Sequence, residues 1–160
     1  MGRNAPTVRE VTAVDCYALR RAVLRGGDPD ARVAWTEDDV PGAFHVAAFA
    51  DVDDVPVAVA SFSQQAIAAR SHALAWRLRG MAVDPTHQGE GFGLAILRFV
   101  HDRLVRSGGD VLWCNARMTA ADFYAKAGSV VVSDSFIDDE TGLAHQQMLL
   151  DLAAPQFTKA

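Results

Sequence analysis

The sequence predicts an α/β (α+β) fold, a mixed and mostly antiparallel sheet flanked by helices. Three observations carry the prediction. Strand-like apolar stretches recur along the chain, helical periodicity interrupts them, and the resulting order is β-α-β-β-β-α-β-α-β-β. Half of the 160 residues are apolar, enough to bury the core of one domain spanning 1–160.

The elements follow in order. TVREV (7–11) alternates and forms the first strand. AVDCYALRRAVLR (13–25) carries Ala18, Leu19, Ala22 and Val23 at helical spacing, with basic residues opposite. Residues 26–42 are rich in turn formers and acids and form a loop with at most a helical turn. AFHVAAFA (43–50) and PVAVASFS (56–63), joined by DVDDV, make an antiparallel hairpin. Residues 64–75 are ambiguous. AWRLRGMAV (75–83) is a strand, and 92–109 is the strongest helix. Its apolar stripe is Leu94, Leu97, Val100, His101 and Leu104, closed by two glycines. VLWCN (111–115) is a buried strand. TAADFYAKAG (119–128) is a helix with a Thr119–Asp122 capping box and a glycine stop. Residues 129–137 and 143–152 form a last hairpin around DDETG.

The net charge of −5 argues against nucleic-acid binding as the main role. No apolar run is long enough to span a membrane. MGRNAPTVRE lacks the apolar core of a signal peptide, and Pro6 stands where a myristoylation signal requires Ser or Thr. Cys16 and Cys114 are expected as free thiols in a reducing cytoplasm.

MAVDPTHQGEGFGLAIL (81–97) places Gly89, Gly91 and Gly93 between a strand and a helix. The first N–H groups of a helix have no internal acceptor, and the helix dipole favours an anion beside them. The glycines remove side chains that would keep a phosphate away, and the Gln88 amide can donate to the same anion. A Walker loop is excluded, because no Gly-Lys-Ser/Thr follows. A dinucleotide fingerprint fails at Ile96, and about sixty residues are too few for the parallel strands it needs.

Gln88-Gly-Glu-Gly91-Phe-Gly93 resembles the Q/R-x-x-G-x-G/A signature of the GNAT superfamily of acyl-CoA-dependent N-acetyltransferases. RGMAVDPTH is similar to that family's fourth strand and turn, and WCNARMTAADFYAKAG to its fifth strand, following helix and acetyl-transfer tyrosine. LRRAVLR, RLRGMAV and WCNAR further resemble an uncharacterised bacterial subgroup. Ser129 departs from the pattern, which usually has Phe after the glycine.

The resemblance implies a sheet splayed between strands 4 and 5, with acetyl-CoA as cosubstrate in the cleft. The main chain of Met81, Ala82 and Val83 would pair with the pantetheine arm. Gln88, Gly89, Glu90, Gly91, Phe92, Gly93 and Leu94 would hold the pyrophosphate. Asn115 would bond the pantetheine, and Phe123 and Tyr124 would sit near the thioester.

Acetyl transfer to an amine needs a neutral amine, stabilisation of an oxyanion and a proton for the departing thiolate. Tyr124 is the natural proton donor, because an unperturbed tyrosine stays protonated at neutral pH. The N–H of Val83 is the candidate for polarising the carbonyl. His145 and His45 lie on strand candidates and titrate in the range a general base needs. Cys114, inside an apolar strand, is expected to be an inert thiol. No cluster has metal-ligand spacing, and no metal is expected.

The reading is an N-acetyltransferase acting by direct attack on a small-molecule or peptide amine. The alternative is a non-catalytic acyl-CoA-binding sensor or interaction module. The C-terminal hairpin offers edge strands for a homodimer.

Overall fold

Strand β1 (Thr7–Val11) pairs antiparallel with β2 (Phe44–Phe49) from Thr7↔Phe49 to Val11↔His45 in the computed structural model, which describes residues 5–51 and 55–154. β2 pairs antiparallel with β3 (Ala58–Gln64), as the hairpin pattern predicts. Of its DVDDV connection, residues 52–54 lie outside the described residues, as do residues 1–4. β4 (Ala75–Val83) lies beside β3. Its first residues, Ala75–Arg77, pair in parallel with Val111–Trp113 of β5 (Val111–Arg117). β5 pairs antiparallel with β8 (Ala144–Asp151) over its full length. The fold is thus mixed α/β, with mostly antiparallel strands and one parallel pair.

The chain divides into two compact units, Met1–Ser63 with Leu78–Asp102, and Gln64–Arg77 with Arg103–Ala160. The first has its own core of Cys16, Leu19, Ala47, Phe49, Val59 and Ala82. The second is centred on Ile67, Ala75, Val111, Trp113 and Leu149. Burying an aliphatic or aromatic side chain of this size is worth about 1.5–3 kcal/mol, so each core is a substantial anchor.

Three helical expectations need correction. The helix predicted over 13–25 is α-helical only over α1 (Ala13–Leu19) and continues as a π-helical stretch, Arg20–Leu24. Apolar spacing does not register that change of winding, and the stretch carries Arg20 into the interior. Helix α2 (Phe92–Arg106) ends three residues short of the predicted 109, because the Gly108 and Gly109 amides turn back to Val105 and Leu104. Leu97, Val100 and Leu104 are buried as expected, joined by Ile96. Helix α3 (Ala121–Lys126) follows directly on a 3₁₀ turn, Met118–Ala120, so Thr119 lies inside the turn and caps nothing. The end of α3 agrees with the prediction, with Gly128 and Ser129 donating to Ala125 and Tyr124.

The predicted strand 129–137 is two short ones, β6 (Val130–Val131) and β7 (Phe136–Ile137), both antiparallel to β8. Between them Ser133 Oγ accepts from the Gln147 N–H at 2.8 Å, so a side chain takes over a bond the ladder would have made.

Candidate active site

The turn that leads into α2 is built by Asp84. Its carboxylate accepts from the Thr86 hydroxyl at 2.7 Å and the Thr86 N–H at 2.9 Å, which holds the acid below its ordinary range. Pro85–His87 then makes one 3₁₀ turn, and the Gln88 amide folds back to donate to the Val83 carbonyl at 3.3 Å. Gly89 and Gly91 adopt φ of +77° and +92°, where side chains are disfavoured. A Cβ on either would meet no atom within 4 Å, so the space above both glycines is open. The first bond of α2 runs from Ala95 N–H to Gly91 O at 2.9 Å. The amides of Phe92, Gly93 and Leu94 therefore have no acceptor within the helix, where its dipole is positive. Gly93 is buried in the first turn, and His87 packs edge-on against Phe92.

These residues join directly to the end of β4. Ala82 is buried in the core of the first unit, while Met81 and Val83 are half-buried. Three residues earlier the strand carries Gly80 at φ +64°. A Cβ there would come within 2.6 Å of the Trp35 ring.

In the second unit, Tyr124 is buried and its hydroxyl shares a hydrogen bond with the Cys114 thiol. Burial first, then Cys114, pushes the phenol well above its ordinary value. Burial likewise pushes the Cys114 thiol up to about 12, so neither group ionises near neutral pH. The Phe123 and Tyr124 rings meet edge-on at 5.0 Å. Asn115, paired with Gln147 on β8, presents a buried Oδ1 with no hydrogen-bond partner. Such an acceptor suits an amide N–H of a pantetheine arm.

The two histidines have different surroundings. His145, across from Arg117 and Phe136 in register, donates from Nδ1 to the Leu143 carbonyl at 2.9 Å. Because a carbonyl can only accept, the lone pair of the neutral ring lies on Nε2. Asp138 lies in its field: burial would raise that carboxyl, but Thr141 and His145 hold it below its ordinary range. His45 is engaged at both nitrogens, with Ser61 Oγ at 2.7 Å and the Asp38 carbonyl at 3.3 Å.

Sequence reasoning did not find the partners of His45. Arg20, fully buried, donates to both carboxylate oxygens of Asp38 at 2.8 Å, to the Val33 carbonyl at 2.7 Å and to Ser61 Oγ at 2.6 Å. Burial would raise the Asp38 carboxyl, but Arg20 and the Trp35 N–H hold it below its ordinary range. The one local signal was Gly80, since a glycine inside a strand often marks a close approach.

Cys16 and Cys114 are both free and buried. Among the described residues, no helix is long and apolar enough to cross a membrane. No group of three or more His, Cys, Asp or Glu among them is arranged to hold a metal ion.

The acetyltransferase (GNAT) domain family profile matches residues 38–152. An uncharacterised N-acetyltransferase of Bacillus subtilis (strain 168), YitI, is 31% identical over 129 residues, covering 81% of this chain and 85% of that one. The chain belongs to the GNAT acetyltransferase family. Escherichia coli ElaA superposes with a TM-score of 0.73 at 15% identity, covering 92% of this chain and 100% of that one. An aminoglycoside 6'-N-acetyltransferase complexed with coenzyme A superposes with a TM-score of 0.68 at 13% identity, covering 93% and 98%. At these identities the two superpositions establish the fold.

Proposed function

We propose that residues 1–160 act as one acetyltransferase domain that moves an acetyl group from acetyl-CoA to an amine by direct attack. The observation that carries this reading is the turn from Gln88 to Leu94. It combines open space over two left-handed glycines with helix amides that have no internal acceptor. In this reading those amides, with the Gln88 side chain, bind the pyrophosphate. The main chain of Met81–Val83 holds the pantetheine arm, and Asn115 Oδ1 accepts one of its amides. Bound acetyl-CoA supplies an activated acetyl thioester.

Tyr124 then delivers the proton to the departing sulfur. Its raised pKa keeps the hydroxyl protonated, and its present partner, a thiol, is a weak acceptor that it can exchange for a better one. The Val83 N–H polarises the carbonyl. His145 takes the proton from the amine at Nε2, which its bond to Leu143 keeps as the basic nitrogen. His45, held at both nitrogens, has no free lone pair to offer as a base while the Arg20 cluster stays intact. The free thiols support a reducing, cytoplasmic setting.

The test is thiol release from acetyl-CoA across a panel of small amines, amino acids and peptide N-termini. Release that depends on one class of amine supports the enzyme. Tight CoA binding with no turnover on any amine would favour the sensor.

A further inference from the structure

The winding of the first helix brings a cation inside the protein. The five residues from Arg20 to Leu24 are π-helical, a rare geometry that is frequent at functional sites. There the Arg20 guanidinium is immobilised by Asp38, Val33 and Ser61. Ser61 passes the constraint on to His45, whose Nε2–H returns to the Asp38 carbonyl. The Trp35 ring lies over this fixed guanidinium at 3.9 Å, a cation–π stack on a planar ion that cannot swing away. The edge of the same ring occupies the place of a side chain at Gly80.

Glycine has no intrinsic preference for φ +64°, so something outside residue 80 must select it. We infer that Trp35, clamped on the buried Arg20–Asp38 pair and seated on Gly80, is a positioning residue for acetyl transfer. By holding Gly80 in its left-handed turn it sets the direction of the Met81, Ala82 and Val83 amides. The catalytic part of this inference rests on the acetyltransferase reading; the structural part does not.

The experiment compares full-length wild type, Trp35→Leu and Trp35→Phe. Backbone hydrogen–deuterium exchange is followed at residues 79–84 and at β8, together with kcat and KM on the best amine. Trp35→Leu removes the aromatic face and should speed exchange at 79–84 about tenfold or more while β8 keeps its protection. Its kcat should fall by on the order of 10²-fold, the cost of a small misplacement of reacting groups. Trp35→Phe keeps a ring over the guanidinium but lacks the Cζ3–Cη2 edge that meets Gly80, so 79–84 should stay loosened in it as in Trp35→Leu.

Unchanged exchange at 79–84, equal loss in β8, or a Phe variant with wild-type protection at 79–84 would overturn the inference. If Trp35→Leu does not fold, Gly80→Ala replaces it. Its Cβ presses on the ring from the other side and should loosen the same segment, and a protected 79–84 in that variant overturns the inference. Should wild type turn over no amine, the acetyltransferase reading falls and the exchange result alone decides the structural part.

Discussion

The turn at Gln88–Gly91 and the cluster around Arg20 are both polar, both belong to the first unit, and are built on opposite plans. In the cluster, hydrogen bonds at 2.6–3.3 Å join Arg20, Asp38, Ser61 and His45 to one another. In the turn, the glycines are exposed, nothing crowds them, and the helix amides that follow have no internal acceptor. The cluster holds more titratable chemistry, yet its carboxylate, hydroxyl, imidazole and terminal guanidinium nitrogens bond to one another. The turn's two glycines put no side chain over the helix amides, and for that reason those donors remain for a ligand.

The largest expected effect comes from Tyr124→Phe, which keeps the ring and deletes the hydroxyl. It should lower kcat about 10²–10⁴-fold, the usual range for general-acid assistance, while calorimetry finds CoA affinity unchanged. Because the phenol lies well above its ordinary value, wild type should show no loss of rate from Tyr124 ionisation up to about pH 9. Turnover that survives the substitution would return Tyr124 to a packing role beside Cys114.

His145→Gln should lower kcat by about 10²-fold on the best amine while CoA affinity stays unchanged. Turnover that survives the substitution would assign the base to another group.

Two predictions test the closed plan against the open one. Asp38→Ala leaves Arg20 buried without a counter-ion and should cost about 3–5 kcal/mol in urea unfolding. Gln88→Ala, on the exposed turn, should change stability by no more than about 0.5 kcal/mol while weakening CoA binding. Comparable destabilisation by both would erase the distinction.

The pH dependence follows from the same pair. The Asp38 pKa is depressed on folding, so its contribution is complete above the unfolded value of about 4 and is lost as the pH falls through the folded value. Unfolding midpoints of wild type and Asp38→Asn should therefore converge below about pH 4. A constant difference down to pH 2 would mean that the charge of Asp38 contributes nothing.

The order of strands and helices was legible because β2 and β3 are short apolar runs joined by the turn-forming DVDDV, buried on both faces, while α2 carries a period of 3.6. The phosphate turn was legible because three alternating glycines between a strand and a helix are a local pattern. What could not be read locally was the company a residue keeps. Arg20 sits in a run that looks like the solvent face of a helix, and its partners Asp38 and Ser61 are 18 and 41 residues away. Asp38 belongs to an acidic run that reads as solvated, and one of those acids is fully engaged. Thr119 failed as a cap because the 3₁₀ turn Met118–Ala120 precedes α3 and encloses it, which the local Thr-x-x-Asp pattern does not show.

The claim at the centre of this account is that the Gln88–Leu94 turn is a phosphate site. The most direct measurement titrates wild type with CoA, 4′-phosphopantetheine and pantetheine by calorimetry, so that the phosphates are removed from the ligand and nothing is changed in the protein. Charge-assisted hydrogen bonds are worth about 1.5–3 kcal/mol each, so CoA should bind at least about 10²-fold more tightly than pantetheine, with 4′-phosphopantetheine between them. Equal affinities for all three would show that the turn holds no phosphate and would contradict the account at its base.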